Sequence, residues 1–163
     1  MQQQLQQWLR QHQHLPRIDC DALLVQAINL HKSGQLDAAN LLYEQLLARQ
    51  TERADIYNLL GMLKGQQGDL EAALSLANRA IELDDHNAVF FSNRAHTLQQ
   101  LGRYEESLAD CDKAVALDAT MVDAQHNRAV TLNKLQRFDQ ALLAYQTVLT
   151  LAPQRFDIHC NYG

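Results

Sequence analysis

Small residues recur through this chain at a fixed step of 34: Ala27, Gly61, Ala95, Ala129 and Gly163 share one phase. A step of that size marks a chain built by repeating one supersecondary unit. A second set keeps the same step, with Ala39, Ala73, Ser107 and Ala141 in register. Two helices approach closely only where side chains are small, so the two sets mark the facing points of a helix pair. Between them lie Gly34, Gly68 and Gly102, each followed two residues later by an apolar residue, Leu36, Leu70 or Tyr104. Glycine accepts the left-handed conformation that ends a helix, which makes these positions turns. In the fourth unit Gln136 replaces the glycine while Phe138 keeps the apolar phase, predicting a slightly strained turn or one of another geometry.

The apolar residues flanking each turn have helical spacing, as in Leu70, Ala73, Leu74, Ala77 and Ile81, or Leu108, Cys111 and Val115. Each unit is therefore a helix, a tight turn and a second helix. Placing the small residue eighth sets the units at 20–53, 54–87, 88–121 and 122–155, with a fragment at 156–163. Helices are predicted near 21–33, 37–50, 54–66, 70–83, 88–101, 104–117, 122–135 and 138–151. Composition agrees: 47% apolar residues suffice for a core, and six glycines with two prolines describe an all-α chain with few long loops.

This pattern resembles the tetratricopeptide repeat family, whose unit carries small residues at its eighth and twentieth positions, an aromatic or leucine at its fourth and often proline at its thirty-second. Leu23, Tyr57 and Phe91 match at the fourth position, whereas Gln125 and His159 depart from it. Of the thirty-second positions only Pro153 is proline; Thr51, Asp85 and Ala119 are not. The resemblance implies a right-handed α-α superhelix of four hairpins plus a partial fifth. Each hairpin then buries its apolar stripe by stacking on its neighbours, so the ends need cover. Leu5, Trp8 and Leu9, with His12, share one face of an N-terminal helix within residues 1–19 that Pro16 closes, and this helix is expected to cap unit one. The sequence stops at Gly163, within the first helix of unit five, which reads as a fragment of a longer protein or an incomplete last helix. Phe156, Ile158 and Tyr162 are then poorly covered and available for end-to-end self-association.

The resemblance further implies a concave face lined by the first helix of each hairpin. Read onto this chain, unit two offers Asp55, Asn58, Met62 and Gln66. Unit three offers Ser92, Asn93, His96, Gln99 and Gln100, and unit four offers Asp123, His126, Asn127, Val130, Asn133 and Lys134. Asn93, Asn127 and Asn161 all hold the sixth position, while Asn58 is one residue out of phase and Leu59 and Val25 occupy that phase in units two and one. An asparagine amide both donates and accepts, so it can pair with the backbone of an extended peptide whatever its side chains. Packed helices lie about 10 Å apart, close to three residues of extended chain at roughly 3.3 Å each, which lets one asparagine per unit keep step with a ligand. The row looks like the asparagine ladder of O-linked N-acetylglucosamine transferase repeat regions; the competing reading is that these amides bond water or a neighbouring backbone. The carboxylate clamp of co-chaperone members is absent, since Asn58, Asp123 and Asn127 stand at its basic positions. Arg94 and Arg128, at the seventh position, read as structural, with packed stems and solvated heads.

The formal charge of −5 and the lack of a basic stripe argue against nucleic acid. Cys20, Cys111 and Cys160 form no metal-ligand spacing, the N-terminus lacks a secretory pattern, and no stretch reads as a membrane span, so a cytoplasmic setting is expected. No phosphate loop, nucleophile elbow or metalloprotease motif is visible, and neither a cofactor nor a catalytic residue is assigned. His96 and His126, on consecutive first helices, form a conceivable metal pair, with peptide contact or solvation the stronger reading. Cys111 reads as a small core residue. Two functions follow as expectations: a protein-interaction scaffold that holds an extended polypeptide in its groove, or the substrate-recruiting arm of a larger enzyme such as a glycosyltransferase with its catalytic domain outside this chain.

Overall fold

The computed structural model describes residues 19–49 and 52–154. Among them eight helices run in chain order: α1 Cys20–Lys32, α2 Leu36–Leu47, α3 Ala54–Gln66, α4 Leu70–Leu83, α5 Ala88–Gln100, α6 Tyr104–Leu117, α7 Val122–Lys134 and α8 Phe138–Leu151. They pair as four hairpins, each helix packing on the next, which is the all-α stack that the 34-residue step predicts. Successive first helices, α1 with α3, α3 with α5 and α5 with α7, also touch one another, whereas the second helices have no comparable mutual contact. A stack whose first helices crowd together while the second helices splay apart is curved. Its inner wall is made of α1, α3, α5 and α7.

The turns follow from backbone chemistry. Gly34, Gly68 and Gly102 take φ values of +78°, +84° and +73°, and Gln136 takes +59° in the fourth turn. All four turns close with the same long backbone bond, from Gln35 N to Leu30 O at 2.9 Å through to Arg137 N to Leu132 O at 2.9 Å. Gln136 therefore keeps the glycine geometry and carries the strain, since a Cβ in the left-handed region costs about 1–2 kcal/mol. Helix α2 ends at Leu47, three residues short of the expected 50, with Ala48 as its cap.

Packing explains the small residues. Ala27, Ala95, Ala129, Ala39 and Ser107 have no exposed surface, and a Cβ added to Gly61 would lie 3.3 Å from the Ala73 carbonyl oxygen. Around them Tyr43, Leu46, Ile56 and Leu63 are fully enclosed in a cluster shared by hairpins one and two. Each contributes roughly 1.5–3 kcal/mol by burial. Gln125, where the fourth position loses its apolar residue, is buried nonetheless; its Nε2 donates to the Ala119 carbonyl at 3.1 Å. Cys111 is fully buried beside Ser107 and Thr131, and burial pushes its thiol up to about 12. The N-terminal helix and the start of unit five fall outside the described residues.

Candidate functional site

Along the inner wall the asparagines do not stand alone. Asn93 Nδ2 donates to Asn58 Oδ1 at 2.8 Å, and Asn127 Nδ2 donates to the backbone oxygen and the hydroxyl of Ser92, both at 3.2 Å. In each case the sixth residue of one unit reaches the fifth residue of the unit before it, a separation of 35. Asn58, out of phase with the row, is for that reason the acceptor for its first rung. One amide hydrogen of each asparagine is thus a brace between hairpins. The Oδ1 of Asn93 and of Asn127 accepts no bond from a described residue, and both side chains are half-buried on the inner wall. Asn161 lies outside the described residues.

A second network sits behind this row at the junction of hairpins three and four. Gln99 Nε2 donates to the Asn127 carbonyl at 2.8 Å and to Thr131 Oγ1 at 2.6 Å. Thr131 is fully buried and shares a 3.0 Å contact with the Ser107 hydroxyl, which in turn donates to the Ala95 carbonyl at 2.9 Å. Gln99, read from the sequence as part of the groove lining, is therefore engaged inside the junction.

Between hairpins two and three the wall opens into a cavity of 220 Å³. Gly61 and Gly65 of α3 and Ala73 and Ala77 of α4 form its floor. Asn58, Asn93 and Thr97 line its sides, while Met62, Gln66, His96 and Gln100 surround its mouth and are exposed to solvent. Of the groove residues read from sequence, Asn58, Met62, Gln66, Asn93, His96 and Gln100 converge here. Gly65, Ala77 and Thr97 were not among them. The twelfth position, occupied in turn by His31, Gly65, Gln99 and Asn133, held the signal, because glycine there withdraws a side chain from the wall.

The fourth unit contributes differently. Ser92 is buried, Val130 packs against the apolar cluster of hairpins three and four, Lys134 is exposed, and His126 is half-buried with its ring 6.4 Å from that of Tyr145. His96 and His126 therefore occupy unlike surroundings, and among the described residues no group of three His, Cys, Asp or Glu is arranged to hold a metal ion. The electrostatics of the inner wall are mild. At its edge Asp55 meets Arg53 at 2.9 and 2.7 Å, and this guanidinium holds the Asp55 carboxyl below its ordinary value while also reaching Asp21 of hairpin one at 3.2 Å. Of the two arginine heads on the outer side, Arg128 pairs in solvent while Arg94 is less solvated than expected. Arg94 grips the buried Asp110 with two bonds of 2.7 Å and adds Asn78 at 2.9 Å, and Arg128 holds Asp112 at 2.6 Å, because the seventh position faces the second helices. No described helix is long and apolar enough to cross a membrane.

The sequence pattern of the tetratricopeptide repeat matches residues 24–88 and 92–156, most of the chain. The chain belongs to the tetratricopeptide repeat family. Solved structures agree. A tetratricopeptide repeat protein of Thermus thermophilus, TTC0263, is 25% identical over 94% of this chain and 84% of its own, with a TM-score of 0.76. The second repeat domain of Spaghetti (RPAP3), bound to the HSP90 peptide SRMEEVD, is 30% identical over 64% of this chain and 97% of its own, with a TM-score of 0.60. MamA, at 17% identity and a TM-score of 0.73 over 81% of this chain and 77% of its own, shares the fold. Among curated proteins no significant relative was found. The tetratricopeptide hairpins thus account for the turns, the small-residue contacts and the curvature, while the cavity between hairpins two and three lies where glycine and alanine replace larger side chains of the next repeat.

Proposed function

We propose that this repeat array is a protein-interaction scaffold whose inner wall holds an extended polypeptide segment. The observation that carries the reading is the row of half-buried amides, Asn93 and Asn127, each fixed by a brace to the preceding hairpin with its carbonyl oxygen left over. Oxygens repeated once per hairpin can accept backbone N–H groups from an extended chain at about every third residue. The Spaghetti domain, similar over most of its own length, binds a peptide. That peptide carries two glutamates and ends in aspartate, whereas the cavity walls here carry no lysine or arginine. The partner segment is accordingly neutral where it crosses hairpins two and three, since an acidic side chain would lose water there without gaining a cation. The recruiting-arm alternative gains no support from the similar structures.

The test is an array of extended peptides of varied sequence, probed with the wild-type chain and with the Asn93→Ala/Asn127→Ala variant. Loss of two hydrogen bonds should weaken binding roughly tenfold across peptides of unrelated sequence, with helicity by circular dichroism unchanged. A variant that binds its peptides as wild type does would remove the amide row as the contact, and an array on which wild type captures nothing would remove the groove reading itself.

A further inference from the structure

The three described junctions can be compared position by position, because the repeat step superposes them. Where the second junction has Gly61, Gly65, Ala73 and Ala77, the third has Ala95, Gln99, Ser107 and Cys111. Each wall residue of the second is smaller than its counterpart in the third. The first junction has His31 and Tyr43 at the positions of Gly65 and Ala77; Tyr43 is fully buried, and its hydroxyl lies 3.4 Å from His31 Nδ1. Thus an imidazole and a phenol occupy the notch at the first junction, a carboxamide occupies it at the third, and at the second it is the 220 Å³ cavity.

Between the second and third junctions the receiving groups, by contrast, are unchanged. Asn93 and Thr97 stand where Asn127 and Thr131 stand at the third junction. Thr131 Oγ1 donates to the Asn127 carbonyl at 2.8 Å and accepts from Gln99; Thr97 Oγ1 donates to the Asn93 carbonyl at 3.2 Å and, among the described residues, accepts nothing. Thr97 is only 8% exposed and lines the cavity. A buried hydroxyl with an unfilled acceptor site, paired with a backbone oxygen at its side, is a site for an N–H donor.

We infer that this cavity takes a primary carboxamide side chain, glutamine above all, from the bound polypeptide, seated as Gln99 is seated one junction along. The inference rests on the proposed groove for its biological ligand, but the pocket's chemistry does not. The ligand amide donates to Thr97 Oγ1 and the Asn93 carbonyl, as Gln99 Nε2 does to Thr131 and Asn127. Its methylenes lie against Gly61, Gly65 and Ala73. A carboxylate of the same length has no hydrogen to donate and would place charge against two oxygens. An aliphatic side chain would leave both acceptors dry.

Propionamide, which reproduces the glutamine side chain, tests this by titration into the 15N-labelled protein. The expected result is saturable shifts of the Gly61, Gly65 and Thr97 backbone amides, with propionate and N,N-dimethylpropionamide at least tenfold weaker. Gly65→Gln, which supplies the side chain internally, should abolish the shifts; Thr97→Val, which keeps the shape and removes the acceptor, should weaken binding about tenfold. Equal response to all three probes, no response to propionamide across its soluble range, or full binding by Thr97→Val would overturn the assignment. Because no peptide is involved, a failed peptide array with a positive titration removes the groove reading alone, and the reverse removes the pocket alone.

Discussion

The first and third junctions of this stack hold the same geometry with different chemistry. Hairpins one and two meet through Leu24, Leu60, Leu63 and Tyr43, an apolar cluster into which Leu59 also packs at the position where later units carry asparagine. Hairpins three and four also share apolar contacts, Leu108 with Leu132 and Phe91 with Ala124, but add a buried polar set, Asn127 on Ser92 and the chain Gln99, Thr131 and Ser107. Apolar contact is non-directional and sums with area, while a buried polar network has value only when every member is satisfied. The repeat thus specifies where helices lie, and leaves open what holds them there. Function has room in that freedom.

Breaking the apolar junction should have the largest effect. Tyr43→Ala removes a fully enclosed ring and should cost about 3–5 kcal/mol, with hydrogen exchange of residues 20–47 accelerated well before that of hairpin four, because stability passes between nearest neighbours. Uniform acceleration along the chain would mean that the junctions do not act separately. At the polar junction Thr131→Val should cost roughly 1–3 kcal/mol in urea unfolding by removing the acceptor of one Gln99 amide hydrogen and the hydroxyl beside Ser107, whereas the equivalent Thr97→Val breaks only one bond within its own helix and should cost about half as much or less. Equal costs would show that the network is not cooperative.

The middle junction sharpens the comparison. Gly65→Gln should raise stability by about 1 kcal/mol, read as a higher urea midpoint, by removing a helical glycine and supplying the missing amide; a Cβ there lies 3.8 Å from Ala73 Cβ, an ordinary contact. The smallest effect belongs to the edge. Asp55→Asn should cost less than about 1 kcal/mol, since the pair with Arg53 is half-exposed and screened by solvent. The folded Asp55 carboxyl is held below its ordinary value, so its contribution is present at neutral pH and lost as pH falls beneath the usual carboxylate range. The variant should accordingly unfold with a shallower acid slope, measured by circular dichroism against pH.

Most of the fold was legible in the sequence because the repeat step is covalent information. Turn glycines, small contact residues and alternating helices all lie at fixed intervals, and Gln136 merely adopts the conformation of the glycines it replaces. The site was legible only in outline. The phase of Asn93 and Asn127 was visible, but their pairing with Asn58 and Ser92 depends on a one-residue stagger between neighbouring helices that no interval of 34 displays. Gln99 looked like a groove residue because its position faces the inner wall, and only the depth of the third junction shows that its amide turns inward. The cavity has no signature in the sequence because it is made by subtraction: glycine and alanine announce nothing alone, and matter only beside the glutamine and cysteine that occupy the next repeat.

Cys111 gives the polar junction a reporter of its own. Fully enclosed beside Thr131, with its thiol pushed up to about 12 by burial, it has almost no thiolate to offer an alkylating reagent while hairpins three and four stay together. The rate at which it is labelled therefore counts separations of those hairpins, so native chemistry already carries a clock for the interface that no dye or engineered cysteine needs to supply.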